Sequence, residues 1–171
     1  FAVVCVRNVN RSMEAHGVLG NKGLDVRSFG AGSCVKLPGR RPHLPMVYDF
    51  ASTYRQMRDD LVSKEREFYT RNGNGILHVL RRKERIRPSP ERFRSARSAL
   101  TSCSRETLQP VHVTNVEVED DPEGATLGAF LLCELCQGLQ QLADTEDQMG
   151  RMLLQVEQRA GKSFLHTVCF Y

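Results

Sequence analysis

The residues best suited to chemistry stand together near the start of the chain: Cys5-Val6-Arg7-Asn8-Val9-Asn10-Arg11-Ser12. A cysteine and an arginine separated by five residues, with a serine directly after, can enclose one tetrahedral anion. The backbone N–H groups of Val6, Arg7, Asn8, Val9, Asn10 and Arg11 turn inward as a nest, and a helix starting at the end of the loop adds partial positive charge. Cys5 then lies beneath the anion as a nucleophile, and Arg11 offers a planar fork to two of its oxygens. The same field favours the thiolate. The Ser12 hydroxyl is placed to hydrogen-bond that sulfur, or the departing one later. Cys5, Arg11 and Ser12 are therefore the candidate catalytic residues, and 6–11 the candidate phosphate-binding loop.

Such a loop needs a strand to end beneath it and a helix to begin beyond it. Ala2-Val3-Val4-Cys5 is a short β-branched run that fits a strand buried on both faces. Residues 13–19 read as a helix, with Ser12 at its cap or first turn and Gly20 or Gly23 as its stop. Residues 24–29 read as a second strand, which completes a βαβ unit. Pro38, Pro42 and Pro45 mark 35–48 as a loop. Residues 48–69 have Phe50, Tyr54, Met57, Leu61 and Phe68 at roughly helical spacing, and 76–80 is a short apolar segment. Residues 110–118 alternate as a strand. Residues 124–142 form a helix with an apolar face of Leu127, Leu131, Leu135, Leu139 and Leu142, widened by Phe130 and Cys136. A further helix covers 147–161 and an apolar strand-like tail follows at 163–171.

Other candidates are weaker. Cys133 and Cys136 have C-x-x-C spacing, that of redox or zinc pairs, but they lie inside an apolar helix and read as core. His16 reads as a helix-surface or polar-core histidine rather than a base, and Cys34 and Cys169 as packing residues. No second cysteine pair, Walker loop or dinucleotide fingerprint is present, so no metal and no cofactor is expected.

The chain has 171 residues and a formal net charge of +4, which is one domain with a charge bias too weak to argue for nucleic acid. No apolar run approaches the roughly 20 residues of a membrane helix, so no membrane partner is expected. The irregular cysteines read as free thiols of a reducing compartment. Residues 81–105 are rich in Arg and Lys, with Glu84 and Glu91 as the acids. Residues 117–123 reverse the sign. The basic block is a solvated surface or a docking face for an acidic or phosphorylated partner. RNA binding through it ranks last, because Phe93 is its sole aromatic residue.

With these pieces in place, the chain resembles the RNA polymerase II C-terminal-domain serine phosphatase family, whose fold is like that of low-molecular-weight tyrosine phosphatases. The likeness rests on Asn10-Arg11-Ser12-Met13-Glu14-Ala15-His16, Val26-Arg27-Ser28-Phe29-Gly30, Val35-Lys36-Leu37-Pro38-Gly39 and Val47-Tyr48-Asp49-Phe50. It continues through Asn74-Gly75-Ile76-Leu77-His78, Arg87-Pro88-Ser89-Pro90-Glu91-Arg92-Phe93, Ala125-Thr126-Leu127-Gly128-Ala129-Phe130 and Phe164-Leu165-His166-Thr167-Val168-Cys169-Phe170-Tyr171. Arsenate reductases use a related loop on the same fold and are the alternative within it.

The resemblance implies an α/β fold, a three-layer αβα sandwich with a central, mostly parallel sheet and the phosphate loop after the first strand. It implies a nuclear protein phosphatase, with the cytoplasm as a second location. Its substrate would be phosphoserine-proline, with the proline in its minor cis form, in the C-terminal repeats of RNA polymerase II. Its partner would be a scaffold protein of mRNA 3′-end processing. Lys36, Leu37, Pro38, Leu77 and Val79 would line the substrate groove, Val79 standing where the family usually has Met. One departure stands out. The family's strand and acid-bearing loop are expected after Arg92-Phe93, but 94–109 is shortened, basic and serine-rich, and no Asp occurs from 61 to 119. No general acid is therefore assigned. The alternative to an enzyme is a catalytically impaired relative that binds phosphopeptide or scaffold without efficient turnover. Loss of an interior strand also predicts a less stable domain.

Overall fold

The computed structural model describes residues 1–41, 43–71, 75–93, 110–142 and 145–170. The expected βαβ unit opens the chain: β1 (Ala2–Cys5), α1 (Arg11–Asn21) and β2 (Arg27–Gly30), with β1 and β2 parallel. Val3 and Val26 are buried against Ala15 and Leu19 of α1 and against Ala129, Cys133 and Cys136 of α4 (Pro122–Gln140). The mixed α/β class holds, but the sheet is broken up. Among the described residues it forms three two-stranded pieces, of which only β1–β2 is parallel, extended by one bridge between Gly30 and Arg92.

The second piece corrects the reading of 35–48 as a loop. β3 (Val35–Arg41) and β4 (Leu44–Tyr48) pair antiparallel, with an irregular register between Leu37 and Arg41. Pro38 falls in that irregular stretch, where a missing N–H interrupts no ladder bond. Val35 and Leu37 are buried and anchor the hairpin.

The helix expected at 48–69 begins later, as α2 (Tyr54–Arg71), kinked at Glu65. Its start is set by a reciprocal capping box. The Gln56 N–H donates to Thr53 Oγ1 at 3.1 Å and the Thr53 N–H donates to Gln56 Oε1 at 2.8 Å. Tyr54, Met57 and Leu61 face inward and are wholly buried. The apolar segment at 76–80 is the first part of a helix, α3 (Ile76–Glu84). It starts at Gly75 in a left-handed conformation and carries Arg81, Arg82 and Lys83 in its last turn, where cations oppose the dipole.

β5 (Pro110–Asn115) is shorter than expected and pairs antiparallel with β6 (Leu165–Phe170). α5 (Thr145–Ala160) ends before Gly161, whose φ is +63°. The apolar face expected for 124–142 holds at Leu131, Leu135, Cys136, Leu139 and Leu142, which are buried or packed against the core, and is corrected at Leu127 and Phe130. Leu127 and Phe130 are 65 % and 56 % exposed, while Ala125, Gly128, Ala129, Cys133, Leu135 and Cys136 are buried. Small residues share the buried surface of α4 where neighbours come very close: a Cβ on Gly128 would lie 2.6 Å from the Val118 methyls.

β1 is paired to β2 and β5 to β6, and no described strand joins β1 to β5. A solvent-open cleft of about 400 Å³ lies between them among the described residues, lined by Cys5, Arg11 and Ser12 as well as by Val3, Val4, Thr114 and Val116. No helix of the described residues is long and apolar enough to cross a membrane.

Candidate active site

Cys5 ends β1 and its sulfur lies inside the loop as expected. Ser12 Oγ is 3.1 Å from Cys5 Sγ, and the Asn8 backbone N–H points at the same sulfur from 3.3 Å. The ladder of β1 and β2 continues into the loop, with the Ala31 N–H donating to Cys5 O and the Gly32 N–H to Val6 O. A Cβ on Gly32 would sit 2.8 Å from Val6 O, so that close approach needs glycine.

Asn8 locks the curl. It has a φ of +53° and is wholly buried. Its Nδ2 donates to Ser12 Oγ at 2.9 Å, its Oδ1 accepts from the Glu91 N–H at 2.8 Å, and its carbonyl accepts from the Tyr54 hydroxyl at 2.6 Å. Asparagine tolerates the left-handed conformation and supplies both a donor and an acceptor. Burial pushes the Tyr54 hydroxyl well above its ordinary titration range, with the Arg87 guanidinium opposing. Tyr54 therefore acts as a neutral donor.

No side chain caps the first turn of α1. Asn10 at that end reaches sideways, donating from Nδ2 to Asp121 O at 3.2 Å and to Asp120 Oδ1 at 3.4 Å. Arg11 donates from Nη1 to Val118 O at 3.0 Å, and its Nε stands 3.5 Å from Asp120 Oδ1 without a hydrogen bond. Arg7 pairs with Asp120 Oδ2 through Nη2 and donates from Nη1 to Lys36 O at 2.9 Å.

Asp120 is the residue that sequence reasoning missed as part of the site. It was legible only as part of an acidic run. Two features bring it to the loop. Glu119 and Val118 lie against Gly124 and Gly128 of α4, where a Cβ would meet each neighbour at 2.6 Å. Asp121 caps α4, accepting from the Gly124 N–H at 2.7 Å with Pro122 at the first helical turn. Asp120 then faces Cys5 across a groove of about 130 Å³ that also holds Arg7, Val9, Asn10, Leu37, Pro38, Ile76, Val79 and Pro122.

Of the expected groove residues, Leu37, Pro38 and Val79 line it. Leu77 does not. It faces a separate depression with Arg58, His78 and Arg81, because α3 is a helix and turns Leu77 away from Ile76 and Val79. Lys36 contributes its carbonyl, to Arg7, while its side chain is exposed. Ile76 lines the groove beside Val79. Position 38 is held by the Tyr69 hydroxyl, which donates to Pro38 O at 2.9 Å.

The weaker candidates resolve as expected. His16 Nδ1 is 2.9 Å from Ser28 Oγ. Burial first, and the Arg87 charge second, lower its affinity for a proton. Cys133 and Cys136 are buried free thiols, and burial pushes Cys136 up to about 11. Both residues pack; neither is a poised nucleophile. Cys34 and Cys169 are half-buried free thiols. The basic block falls partly at 94–105, outside the described residues.

The family model described as Ssu72-like protein matches residues 1–103 and 97–171. The chain belongs to the Ssu72-like family. Among similar proteins is human RNA polymerase II C-terminal domain phosphatase SSU72 like protein 5, 58 % identical over 188 positions that cover 99 % of this chain and 96 % of the relative. The RNA polymerase II C-terminal domain phosphatase SSU72 of Rattus norvegicus is 50 % identical with the same coverage. The crystal structure of the serine phosphatase of the RNA polymerase II CTD from Drosophila melanogaster superposes with a TM-score of 0.88 at 38 % identity, covering 99 % of this chain and 98 % of that one. Drosophila Ssu72 with Symplekin, bound to a cis peptidomimetic of the phosphoserine CTD peptide, superposes with a TM-score of 0.85 at 37 % identity, covering 99 % and 97 %. The alignments with the curated relatives run longer than this chain's 171 residues, so those relatives carry residues with no counterpart here.

Proposed function

We propose that this chain is a cysteine-dependent phosphatase that removes phosphate from phosphoserine-proline sites of the RNA polymerase II C-terminal repeat. The observation that carries this reading is one groove lined by both Cys5, whose sulfur is held by Ser12 and the Asn8 N–H, and Asp120. The Cys5 thiolate attacks phosphorus in line; the S–P bond forms as the P–O bond to serine breaks. The electron pair stays on the serine oxygen, which takes a proton from the Asp120 carboxyl. Water then attacks the cysteinyl-phosphate and gives its proton to the Asp120 carboxylate. Inorganic phosphate leaves, the Cys5 thiolate is restored, and Asp120 is protonated again for the next turnover. Arg11 and the loop N–H groups hold the equatorial oxygens more tightly in the transition state than in the ground state. Ser12 and the Asn8 N–H stabilise the departing sulfur.

Asp120 supplies the general acid left unassigned from sequence, which favours an enzyme over a binding-only relative. Leu37, Pro38, Ile76 and Val79 offer apolar walls to a substrate proline. The related Drosophila complex supports a cis proline after the phosphoserine, and a Symplekin-type scaffold as partner. A nuclear role follows from that substrate. The reading includes a single domain over residues 1–171, shortened within 94–109. This is supported by the longer relatives and by the overlap of the two family matches at 97–103.

Phosphate release from a phosphoserine-proline peptide tests the reading. Wild-type release should stand well above Cys5→Ser, and Asp120→Asn should lower kcat by roughly 10²–10⁴. Release no faster than Cys5→Ser would leave only a phosphopeptide- or scaffold-binding role.

A further inference from the structure

Arg7 touches both walls of the groove. Its Nη1 donates to the Lys36 carbonyl of β3 at 2.9 Å and its Nη2 holds Asp120 Oδ2 in an ion pair. The other oxygen of Asp120 is held loosely, with Asn10 Nδ2 at 3.4 Å and Arg11 Nε at 3.5 Å. Arg11 cannot serve two anions at once. A phosphate seated over Cys5 claims its planar fork, which withdraws Arg11 from Asp120 at the moment the carboxyl must be aimed. Arg7 is free to stay, because its two nitrogens point along the groove wall to Lys36 and Asp120. A rigid guanidinium fixes the angle between those two contacts, which a lysine ammonium does not.

We propose that Arg7 is the positioning residue for Asp120. It anchors Oδ2 against β3 and leaves Oδ1 as the oxygen that gives its proton to the serine leaving group and later takes one from water. This rests on the assignment of Asp120 as the general acid. The side chains of Arg7 and Asp120 are each about one-third exposed, at 37 % and 31 %. The pair is therefore partly screened, and the effect of Arg7 is one of aim more than of binding strength.

The test uses the full chain with Arg7→Gln, Arg7→Lys, Asp120→Asn and the double variant Arg7→Gln/Asp120→Asn. Each is assayed on a phosphoserine-proline peptide and on p-nitrophenyl phosphate, whose leaving group needs little help from an acid. Arg7→Gln should lower kcat on the peptide about tenfold or more, and at least about fivefold more than on the aryl phosphate. Arg7→Lys, which keeps the charge but not the fixed fork, should recover little of the peptide rate. The double variant should be no slower on the peptide than Asp120→Asn alone, because Arg7 acts through Asp120. The ratio between substrates is independent of the folded fraction, so a poorly folding variant still gives an answer. Equal losses on both substrates overturn the proposal, as does an additive double variant. A rise in KM on both substrates at unchanged kcat also overturns it, by making Arg7 a phosphate ligand. If Asp120→Asn itself shows no dependence on the leaving group, the parent reading fails and takes the proposal with it. If Asp120→Asn shows that dependence and Arg7→Gln does not, the proposal alone fails.

Discussion

His16 sits one turn into α1 and bonds to Ser28 rather than to the reacting centre. Burial and then Arg87 lower its proton affinity in the folded state below its ordinary value of 6.5. The unfolded chain therefore binds the extra proton first as pH falls. The stability linked to His16 is full above about pH 6.5 and declines as pH drops below it, until the folded histidine also protonates. Denaturant titrations between about pH 7.5 and about pH 5.5 should show stability falling with acid, and His16→Gln should flatten that slope. His166, whose proton affinity is also lowered by burial and by His112, keeps part of it. An unchanged slope in His16→Gln would refute the assignment. At this scale the sequence was informative where spacing carries chemistry, as with Cys5, Arg11 and Ser12. Asn8 and Asp120 were not legible in their roles. The partners of Asn8 are Tyr54 and Glu91, and those of Asp120 are Arg7 and Arg11; all are distant along the chain and become neighbours only on folding.

At the scale of elements, α1 must stay in place for the loop at its start to keep its shape. It is tied to α3 by Glu14, whose Oε2 pairs with the wholly buried Lys83 and, at 2.8 Å, with Arg82. Burial lowers the Lys83 proton affinity and the Glu14 charge restores part of it. Removing one partner leaves a buried charge without its counterpart. Glu14→Ala should therefore cost about 3–5 kcal/mol in chemical denaturation, whereas Glu14→Leu with Lys83→Met should cost clearly less. A smaller loss for the single variant than for the double one would contradict this. The helices were readable from apolar spacing, but their limits and faces were not. α2 starts at Tyr54 because Thr53 and Gln56 cap each other. α4 buries its small residues because Val118 comes within van der Waals contact of Gly128. Pro38 and Pro45 concealed a hairpin, since a two-stranded ribbon has free edges where a missing N–H goes unnoticed.

For the whole molecule, a solvent-open cleft of about 400 Å³, which also reaches Cys5, Arg11 and Ser12, separates β1 from β5 among the described residues. β6 pairs with β5 and α3 packs with α2, so neither fills it. Val4 of β1 is 45 % exposed beside it. Lost packing of even about 3 kcal/mol lowers Tm by roughly 6–12 °C for a chain of this length. Calorimetry beside the rat relative should find this chain melting lower by at least that range, and equal melting temperatures would show that the gap is closed in solution. The sequence by itself determined the proposed nucleophile and phosphate arginine, the strand and helix that flank them, and the family, because each is written in residues adjacent along the chain. Only the tertiary structure decided which carboxylate stands beside the loop and which residues wall the groove. Those choices depend on how closely α4 lets the segment before it approach, and on which way α3 turns, and both are set by packing between elements far apart in sequence.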